Sequence, residues 1–189
     1  MNKNYIPTID VSKILDNKFN TVASENIINK INKACVEVGF FQIVGHGIKL
    51  SNINKICKIG ENFFETNFQN KLKLAPRKWN RKNKNFYRGY FPNEVNGKEG
   101  LDLGDLRVTK NYSKKLNNQY IEYLNIKKSL SKKSNEELSK YFDNIFNLSE
   151  TIFKAIIKLY NKDTDISKIA FSRLKTLSTL RFNYYPNQT

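Results

Sequence analysis

The amino-acid sequence predicts a mixed α+β fold, and three observations support it. Apolar residues recur at three-to-four spacing in three separate segments, which is typical of amphipathic helices. Short β-branched or aromatic runs bounded by Gly or Pro lie between them and favour strands. The last run alternates between apolar and polar side chains, as a half-buried strand does. With 189 residues and 39% hydrophobic content, the chain can bury the core of one domain, or of one domain and part of a second.

The first elements are predicted to be a strand and a helix. The run "YIPTIDV" (Tyr5–Val11) is interrupted by Pro7, which suits a strand at the edge of a sheet. Ser24 can cap the helix that follows, and Gly39 lies where a left-handed residue would end it. The apolar face of this helix should comprise Ile27, Ile31, Ala34, Cys35 and Val38.

A buried strand, a turn and a second helix are expected next. Phe40–Val44 predicts the strand, "GHG" predicts the turn, and the helix should begin near Ser51. The turn holds His46, the one histidine of the chain, and the two cysteines form no C-x-x-C pair. This spacing suggests neither a zinc site nor a disulfide scaffold, so both cysteines are expected to be small core residues. The helix face should comprise Ile53, Ile56, Cys57, Gly60, Phe64 and Phe68.

The central and later segments are predicted to be loops followed by a long helix. Asn70–Asn118 is polar and Gly-punctuated, with one short strand expected at Leu106–Val108. Ser134 and Glu137 match an S-x-x-E capping box at the start of the helix. Its core stripe should comprise Leu138, Tyr141, Phe142, Ile145, Leu148, Ile152, Ala155, Ile156 and Leu159.

The final strand, in "TLSTLRFNYYP", has two chemically different faces. Alternation places Leu180, Phe182 and Tyr184 on one face, and Arg181, Asn183 and Tyr185 on the other. A guanidinium, an amide and a phenol in a row can hold an anionic small molecule inside a barrel. The same alternation also fits an ordinary strand with one face in solvent.

The charge of the chain permits several partners. The net charge is +16, mostly from lysines scattered among asparagines and isoleucines, a bias that AT-rich coding also produces. Only Ala75–Arg88 concentrates basic residues with aromatic ones, and no RNP, zinc-finger or helix-turn-helix pattern accompanies it. A solvated loop is therefore favoured over nucleic-acid binding. No apolar run of membrane-spanning length or signal-peptide start occurs, which predicts a cytoplasmic protein without a membrane partner.

Four motifs in this order resemble a known family. "IPTID", "ACVEVGFFQIVGHGI", "RGYFP" with "KEGLDLG", and "LRFNYYP" look like the N-terminal region of the isopenicillin N synthase-like iron(II) and 2-oxoglutarate-dependent dioxygenases. The resemblance covers essentially the whole chain. It implies helices packed on the first strands of an incomplete double-stranded β-helix, or jelly-roll, barrel. It divides the chain into an N-terminal domain (1–115), a helical segment (116–175) and the first strand of a truncated catalytic barrel (176–189).

The resemblance also implies roles for particular residues. Asn183 and Tyr185 match the Asn and second Tyr of N-Y-Y-P, which help to hold 2-oxoglutarate in family members that use it. His46 matches a structural turn residue. Arg88, Tyr90 and Phe91 lie where such enzymes border their substrate, although a packed loop is an equal alternative. The implied parent activity oxidises a small organic substrate with O2 and decarboxylates 2-oxoglutarate.

The sequence departs from the family at its metal site. It has one histidine, no H-x-D and no R-x-S after N-Y-Y-P, so no catalytic residue or metal ligand can be assigned. We therefore expect a fragment that is inactive alone, binds neither Fe(II) nor 2-oxoglutarate well, and could be complemented by a C-terminal half. Two alternatives stay open: a non-catalytic binding or regulatory subunit with the same fold, and a basic nucleic-acid-binding module.

Overall fold

The computed structural model describes residues 6–16, 19–83, 85–93, 97–105, 130–160, 165 and 178–186. Their helices and strands confirm the mixed α+β class. The described α-helices and strands are β1 (Thr8–Asp10), α1 (Val22–Glu37), β2 (Gln42–Val44), α2 (Leu50–Phe64), α3 (Phe68–Leu72), β3 (Gly89–Phe91), β4 (Glu99–Leu103), α4 (Lys132–Tyr160) and β5 (Leu180–Tyr184), and a short 3-10 helix (Ser12–Ile14) follows β1.

These elements belong to two compact units that do not follow chain order. The first unit draws on the described residues of Met1–Ile48 and Asn144–Phe171, and the second on those of Lys49–Asp143 and Ser172–Thr189. Helix α4 therefore contributes its first part to the second unit and the remainder to the first. Among the described residues, no helix combines the length and the apolarity that crossing a bilayer requires.

The first unit is built on a parallel pair of short strands. Strand β1 pairs with β2, with Ile9 opposite Ile43. Helix α1, the later part of α4 and residues between β1 and α1 supply the other apolar side chains. The buried residues of this core are Ile9, Val11, Ile14, Phe19, Ile27, Ile28, Ile31, Ala34 and Ala155.

Helix α1 begins earlier than the sequence suggested. Thr21, not Ser24, is the N-cap residue: its hydroxyl accepts from the backbone N–H of Ser24 at 3.1 Å. The Ser24 hydroxyl in turn accepts from the backbone N–H of Thr21 at 3.0 Å, which completes a reciprocal capping box. At the other end Gly39 has a φ of 91°, as predicted, and its N–H donates to the carbonyl of Ala34.

The strand predicted at Phe40–Val44 is present, but the prediction that it is buried was wrong. Strand β2 starts at Gln42, and Phe40 and Val44 are exposed. In a two-stranded sheet with one covered face, alternate side chains point away from the core. Phe41 and Ile43 accordingly pack against the core, whereas their neighbours do not. Cys35 is also exposed, against expectation.

The second unit is built on the antiparallel sheet β3-β4-β5. Helices α2 and α3 and the first part of α4 pack with it. Its buried apolar residues are Ile56, Phe63, Phe64, Leu74, Ala75, Tyr90, Leu101, Leu103 and Leu138.

Helix α2 confirms part of its predicted face and corrects the rest. Ile56, Gly60 and Phe64 are buried, but Cys57 is exposed. Phe68 is also exposed because α2 ends at Phe64 and Asn67 caps a new helix, its side chain accepting from the N–H of Gln69. The new helix breaks the helical register on which the prediction relied.

The start of α4 also differs from the prediction. The helix begins at Lys132, and the Ser131 hydroxyl accepts from the N–H of Ser134 at 3.0 Å. Ser134 is therefore a first-turn residue and not the cap. The strand predicted at Leu106–Val108 lies outside the described residues.

The G-H-G turn of the first unit depends on its first glycine. Gly45 and Gly47 have φ values of 67° and 75°, in the left-handed region. A Cβ on Gly45 would overlap Oδ1 of Asp10, which accepts from the N–H of Ser12 at 2.9 Å. A side chain at position 45 would therefore displace the Asp10 carboxylate from the N–H of Ser12.

We expect Gly45→Ala to lower the free energy of unfolding more than Gly39→Ala does. Gly39 also has a positive φ, but its Cβ would have no neighbour within 4 Å, so its cost should be the backbone strain of about 1–2 kcal/mol. Gly45→Ala also displaces the Asp10 carboxylate from the N–H of Ser12, which should cost about 1 kcal/mol more. Urea denaturation of both variants checks this, and equal losses would show that the close approach to Asp10 has no energetic weight.

Candidate functional site

One face of β5 is half-buried against the core, as its alternation predicted. Leu180 and Phe182 pack against the core of the second unit. The ring of Tyr184 stacks on Phe64 with centroids 5.1 Å apart and planes 13° apart. Phe182 reaches α2 because Gly60 has no side chain: a Cβ there would lie 2.6 Å from Cδ1 of Phe182. This face fixes the strand, and the candidate site lies on the other.

On the opposite face Arg181 is held by a buried carboxylate. Arg181 lies across from Asp102 of β4, and its Nε and Nη2 donate to the two carboxylate oxygens at 2.6 and 2.5 Å. The Asp102 side chain is 3% exposed and that of Arg181 is 58% exposed. The hydrogen bond from Arg181 to Asp102 and the carboxylate charge raise the pKa of Arg181. The guanidinium is thus already engaged in two charge-assisted bonds.

Asn183 lies at a gap in the side-chain layer of this face. The register places Asn183 opposite Gly100, and Gly100 opposite Phe91 of β3. These three residues form one cross-strand row in which the middle position has no side chain. Asn183 is exposed, and Tyr185, just after the strand, is 65% exposed. The structure therefore brings two predicted site residues, Phe91 and Asn183, into one row.

Arg88 and Tyr90 make contacts inside the second unit. The Arg88 guanidinium donates from Nε to Oγ1 of Thr179 at 3.0 Å and from Nη2 to the carbonyl of Ser178 at 2.9 Å. It thereby ties the entrance of β3 to the residues just before β5. Tyr90 is fully buried, on the opposite face of β3 from Phe91. Their role in bordering a substrate stays a prediction.

A buried polar cluster, which sequence reasoning missed, lies beneath the sheet. Nζ of Lys71 lies 2.6 Å from Oε2 of Glu99 and donates to the carbonyl of Phe64 at 3.0 Å. The Tyr90 hydroxyl donates to the same Glu99 oxygen at 2.7 Å. Burial raises the pKa of Tyr90 well above its usual value, and the hydrogen bond to Glu99 and its charge add to the effect. The cluster joins α3, β3 and β4.

His46 belongs to the first unit and forms part of the turn. Its Nδ1 accepts from the backbone N–H of Ile48 at 3.1 Å. This contact confirms the prediction of a hydrogen-bonded turn residue. Within the described ranges, no group of three His, Cys, Asp or Glu side chains is arranged to hold a metal ion.

The family of the chain follows from comparison with known sequences. Residues 6–148 match the family described as non-haem dioxygenase in morphine synthesis, N-terminal. The chain belongs to this non-haem dioxygenase family. It represents the N-terminal region of the iron(II) and 2-oxoglutarate-dependent dioxygenases, which confirms the predicted resemblance.

Relatives of this non-haem dioxygenase region are longer proteins. The chain is 35% identical over 77 residues to "Homoarginine-6-hydroxylase 2-ODD-C23.2" of Arabidopsis thaliana, a match covering 38% of the chain and 22% of the relative. It is 32% identical over 90 residues to "2-oxoglutarate-dependent dioxygenase tropC" of Talaromyces stipitatus, covering 48% and 27%.

Solved structures show the same fold. Dioxygenase for auxin oxidation 1 from Arabidopsis thaliana, in a binary complex with 2-oxoglutarate, matches with a TM-score of 0.60 and 21% identity, over 86% of this chain and 53% of that one. The chain thus spans about half the length of that enzyme. This likeness confirms the α+β class with part of a jelly-roll barrel.

We expect Tyr90→Phe to reduce the loss of stability at alkaline pH. The folded-state pKa of Tyr90 lies above its unfolded value near 10, so above about pH 10 the unfolded chain binds fewer protons and stability falls as pH rises. Without the phenol hydroxyl, the free energy of unfolding should no longer include this pH-dependent loss, which amounts to at most about 1.4 kcal/mol per pH unit. Urea unfolding from pH 8 to 11 measures it, and parallel curves for the two proteins would contradict it.

We expect His46→Ala to lower the free energy of unfolding by about 1 kcal/mol, because the N–H of Ile48 loses its acceptor. His46→Asn is the matched variant, since an Asn side-chain oxygen can accept from the N–H two residues on. It should recover much of the loss in urea denaturation. If Asn is no better than Ala, the hydrogen bond is not what stabilises the turn.

Proposed function

We propose that this chain is the N-terminal part of an iron(II) and 2-oxoglutarate-dependent oxygenase that acts on a small organic substrate. The family match over residues 6–148 and the 2-oxoglutarate-dependent relatives support this assignment. In the proposal, residues 176–189 begin the catalytic barrel, while 1–115 and 116–175 form its N-terminal and helical supports.

The observation that carries the proposal is the polar face of β5. Its apolar face packs on α2 through Phe182 and Gly60, so the backbone holds the amide of Asn183 beside Gly100, a position without a side chain. An amide N–H and a phenol O–H are suitable donors for a carboxylate or keto oxygen. Asn183 and Tyr185 are therefore proposed to hold 2-oxoglutarate.

Arg181 is not proposed as a partner of the co-substrate. The guanidinium of Arg181 already donates to both carboxylate oxygens of Asp102. If Arg181 turned to the co-substrate, the nearly fully buried carboxylate of Asp102 would lose its cation. Its role is to hold β4 and β5 in register next to Asn183. We propose that the positive charge that balances the far carboxylate of 2-oxoglutarate comes from the arginine of an R-x-S motif in a longer form of the protein.

The residues of this chain do not fit the iron site of the family. Iron in such enzymes takes two histidines and a carboxylate, whereas this sequence has one histidine. The Nδ1 of that histidine is engaged in the G-H-G turn. We propose that the iron ligands are supplied by a longer product of the same reading frame or by a complementing C-terminal half.

The contribution of this chain would be binding and positioning. Iron and 2-oxoglutarate, when bound, supply the oxidation of a C–H bond coupled to decarboxylation. Asn183 and Tyr185 donate hydrogen bonds that orient the co-substrate. The ties from Arg88 to Thr179 and Ser178 fix the strand that carries those donors.

We expect the 189-residue chain, supplied with Fe(II), ascorbate and 2-oxoglutarate, to produce no succinate above a blank without protein. An extended form carrying H-x-D, a distant His and R-x-S should produce it. Clear turnover by the 189-residue chain alone would refute the conclusion that its residues do not form an iron site. An extended form that is folded but inactive would refute the oxygenase assignment.

In that extended form, Asn183→Ala tests the site itself. It should raise the KM for 2-oxoglutarate about tenfold, the loss of one hydrogen bond to a charged ligand. Asn29→Ala, at an exposed position of α1, is the matched control and should leave the KM unchanged. Equal KM values for the two variants would show that Asn183 does not bind 2-oxoglutarate.

A further inference from the structure

The segment Lys71–Asn93 has a one-sided charge. It holds eight Lys or Arg residues and no Asp or Glu. Two of its cations are used inside the second unit, Lys71 on Glu99 and Arg88 on Thr179 and Ser178. The side chains of Arg77, Lys78, Arg81 and Lys82 are exposed. Because no acidic residue is interleaved, the outer surface of this segment concentrates positive charge.

The backbone of this segment is held by asparagine side chains. Nδ2 of Asn83 donates to the carbonyls of Lys73 and Ala75 at 2.9 and 2.7 Å, and Nδ2 of Asn80 donates to the carbonyl of Leu72 at 3.1 Å. The N–H of Arg77 donates to the carbonyl of Asn85 at 2.8 Å. The cations therefore project from a defined loop, so less ordering entropy is lost when a ligand binds.

A groove of about 460 Å³ lies on this surface, lined by Arg77, Lys78, Arg81 and Phe86. We refer to these four residues as the basic groove. Phe86 is 56% exposed, and the Arg77 guanidinium lies over its ring, 5.5 Å from the centroid. The groove thus combines an exposed aromatic face with guanidinium groups, which provides both a stacking platform and anion contacts.

We propose that the basic groove binds single-stranded nucleic acid. Phosphates contact Arg77, Lys78 and Arg81, and a base stacks on Phe86. Repeated phosphates with accessible bases match this pairing of cations and an aromatic ring. An acidic peptide would satisfy the cations but supplies no base for the ring, and a duplex keeps its bases stacked internally. A free nucleotide would need more enclosure than a surface groove provides.

This activity is independent of the proposed oxygenase function. None of the four groove residues belongs to the predicted 2-oxoglutarate face of β5. Binding to nucleic acid can therefore be measured with the 189-residue chain, without iron or 2-oxoglutarate, and its outcome does not depend on succinate formation.

The experiment measures fluorescence anisotropy of a labelled 12-nucleotide single-stranded RNA of mixed pyrimidines, between 50 and 200 mM NaCl. Arg77→Gln/Arg81→Gln should reduce the slope of log K against log salt by about 1.4, since each phosphate contact to a single strand contributes about 0.7. Lys30→Gln/Lys33→Gln, which removes two exposed charges from α1, is the charge-matched control and should change the slope by less than half as much.

A second pair of variants tests stacking. Phe86→Leu should weaken binding about tenfold at constant charge, and Tyr160→Leu, which removes a ring that is 78% exposed on α4, should not. Thermal melting confirms that each variant is folded. The proposal is overturned if the RNA does not bind, if the two charge pairs lower the slope equally, if Phe86→Leu binds as tightly as the unmodified chain, or if ATP or duplex RNA competes as well as the single strand.

Discussion

The second unit depends on the largely buried carboxylate of Glu99. Its side chain is 15% exposed and shares one oxygen between the ammonium of Lys71 and the hydroxyl of Tyr90. A carboxylate at this depth is tolerated only with such partners, and removing one partner from a buried pair costs about 3–5 kcal/mol. Because the partners come from α3 and β3, one charged group determines how a helix and a hairpin meet. A second N–H of Lys71 donates to the carbonyl of Phe64, the residue on whose ring Tyr184 stacks.

The same sheet has two differently organised faces. Below it, the apolar core and the Glu99 cluster make β5 a rigid element. Above it, the bidentate pair of Asp102 and Arg181 is followed by the bare position of Gly100 beside Asn183. A strand fixed on one side and polar on the other can present ligand donors with little freedom. This arrangement explains why Asn183 carries the proposed function, whereas Arg181, although more strongly charged, does not.

Periodicity predicted the features that depend on neighbours in sequence. The stripe of Ile27, Ile31 and Ala34 and the alternation of β5 follow from local repeat, and both were found. Exposure of Cys35 and Phe40 could not be predicted, because it depends on how many layers cover an element. The partners of Lys71 and Arg181 lie 28 and 79 residues away, and no local pattern encodes such pairs. Among these partners, only Asp102 can be recognised in the sequence, because it is an acidic residue between two leucines, Leu101 and Leu103.

The contact between Gly60 and Phe182 has a consequence for synthesis of the protein. Helix α2 leaves a hollow at Gly60 that an aromatic ring made about 120 residues later must fill. At typical elongation rates of about 5–20 residues per second, that delay is about 6–25 s. A nascent chain in which α2 has already formed would leave this apolar hollow unfilled until β5 emerges. A chaperone that binds during this interval, or a slow codon that prolongs it, acts on a second unit that still lacks β5 and therefore lacks Asn183.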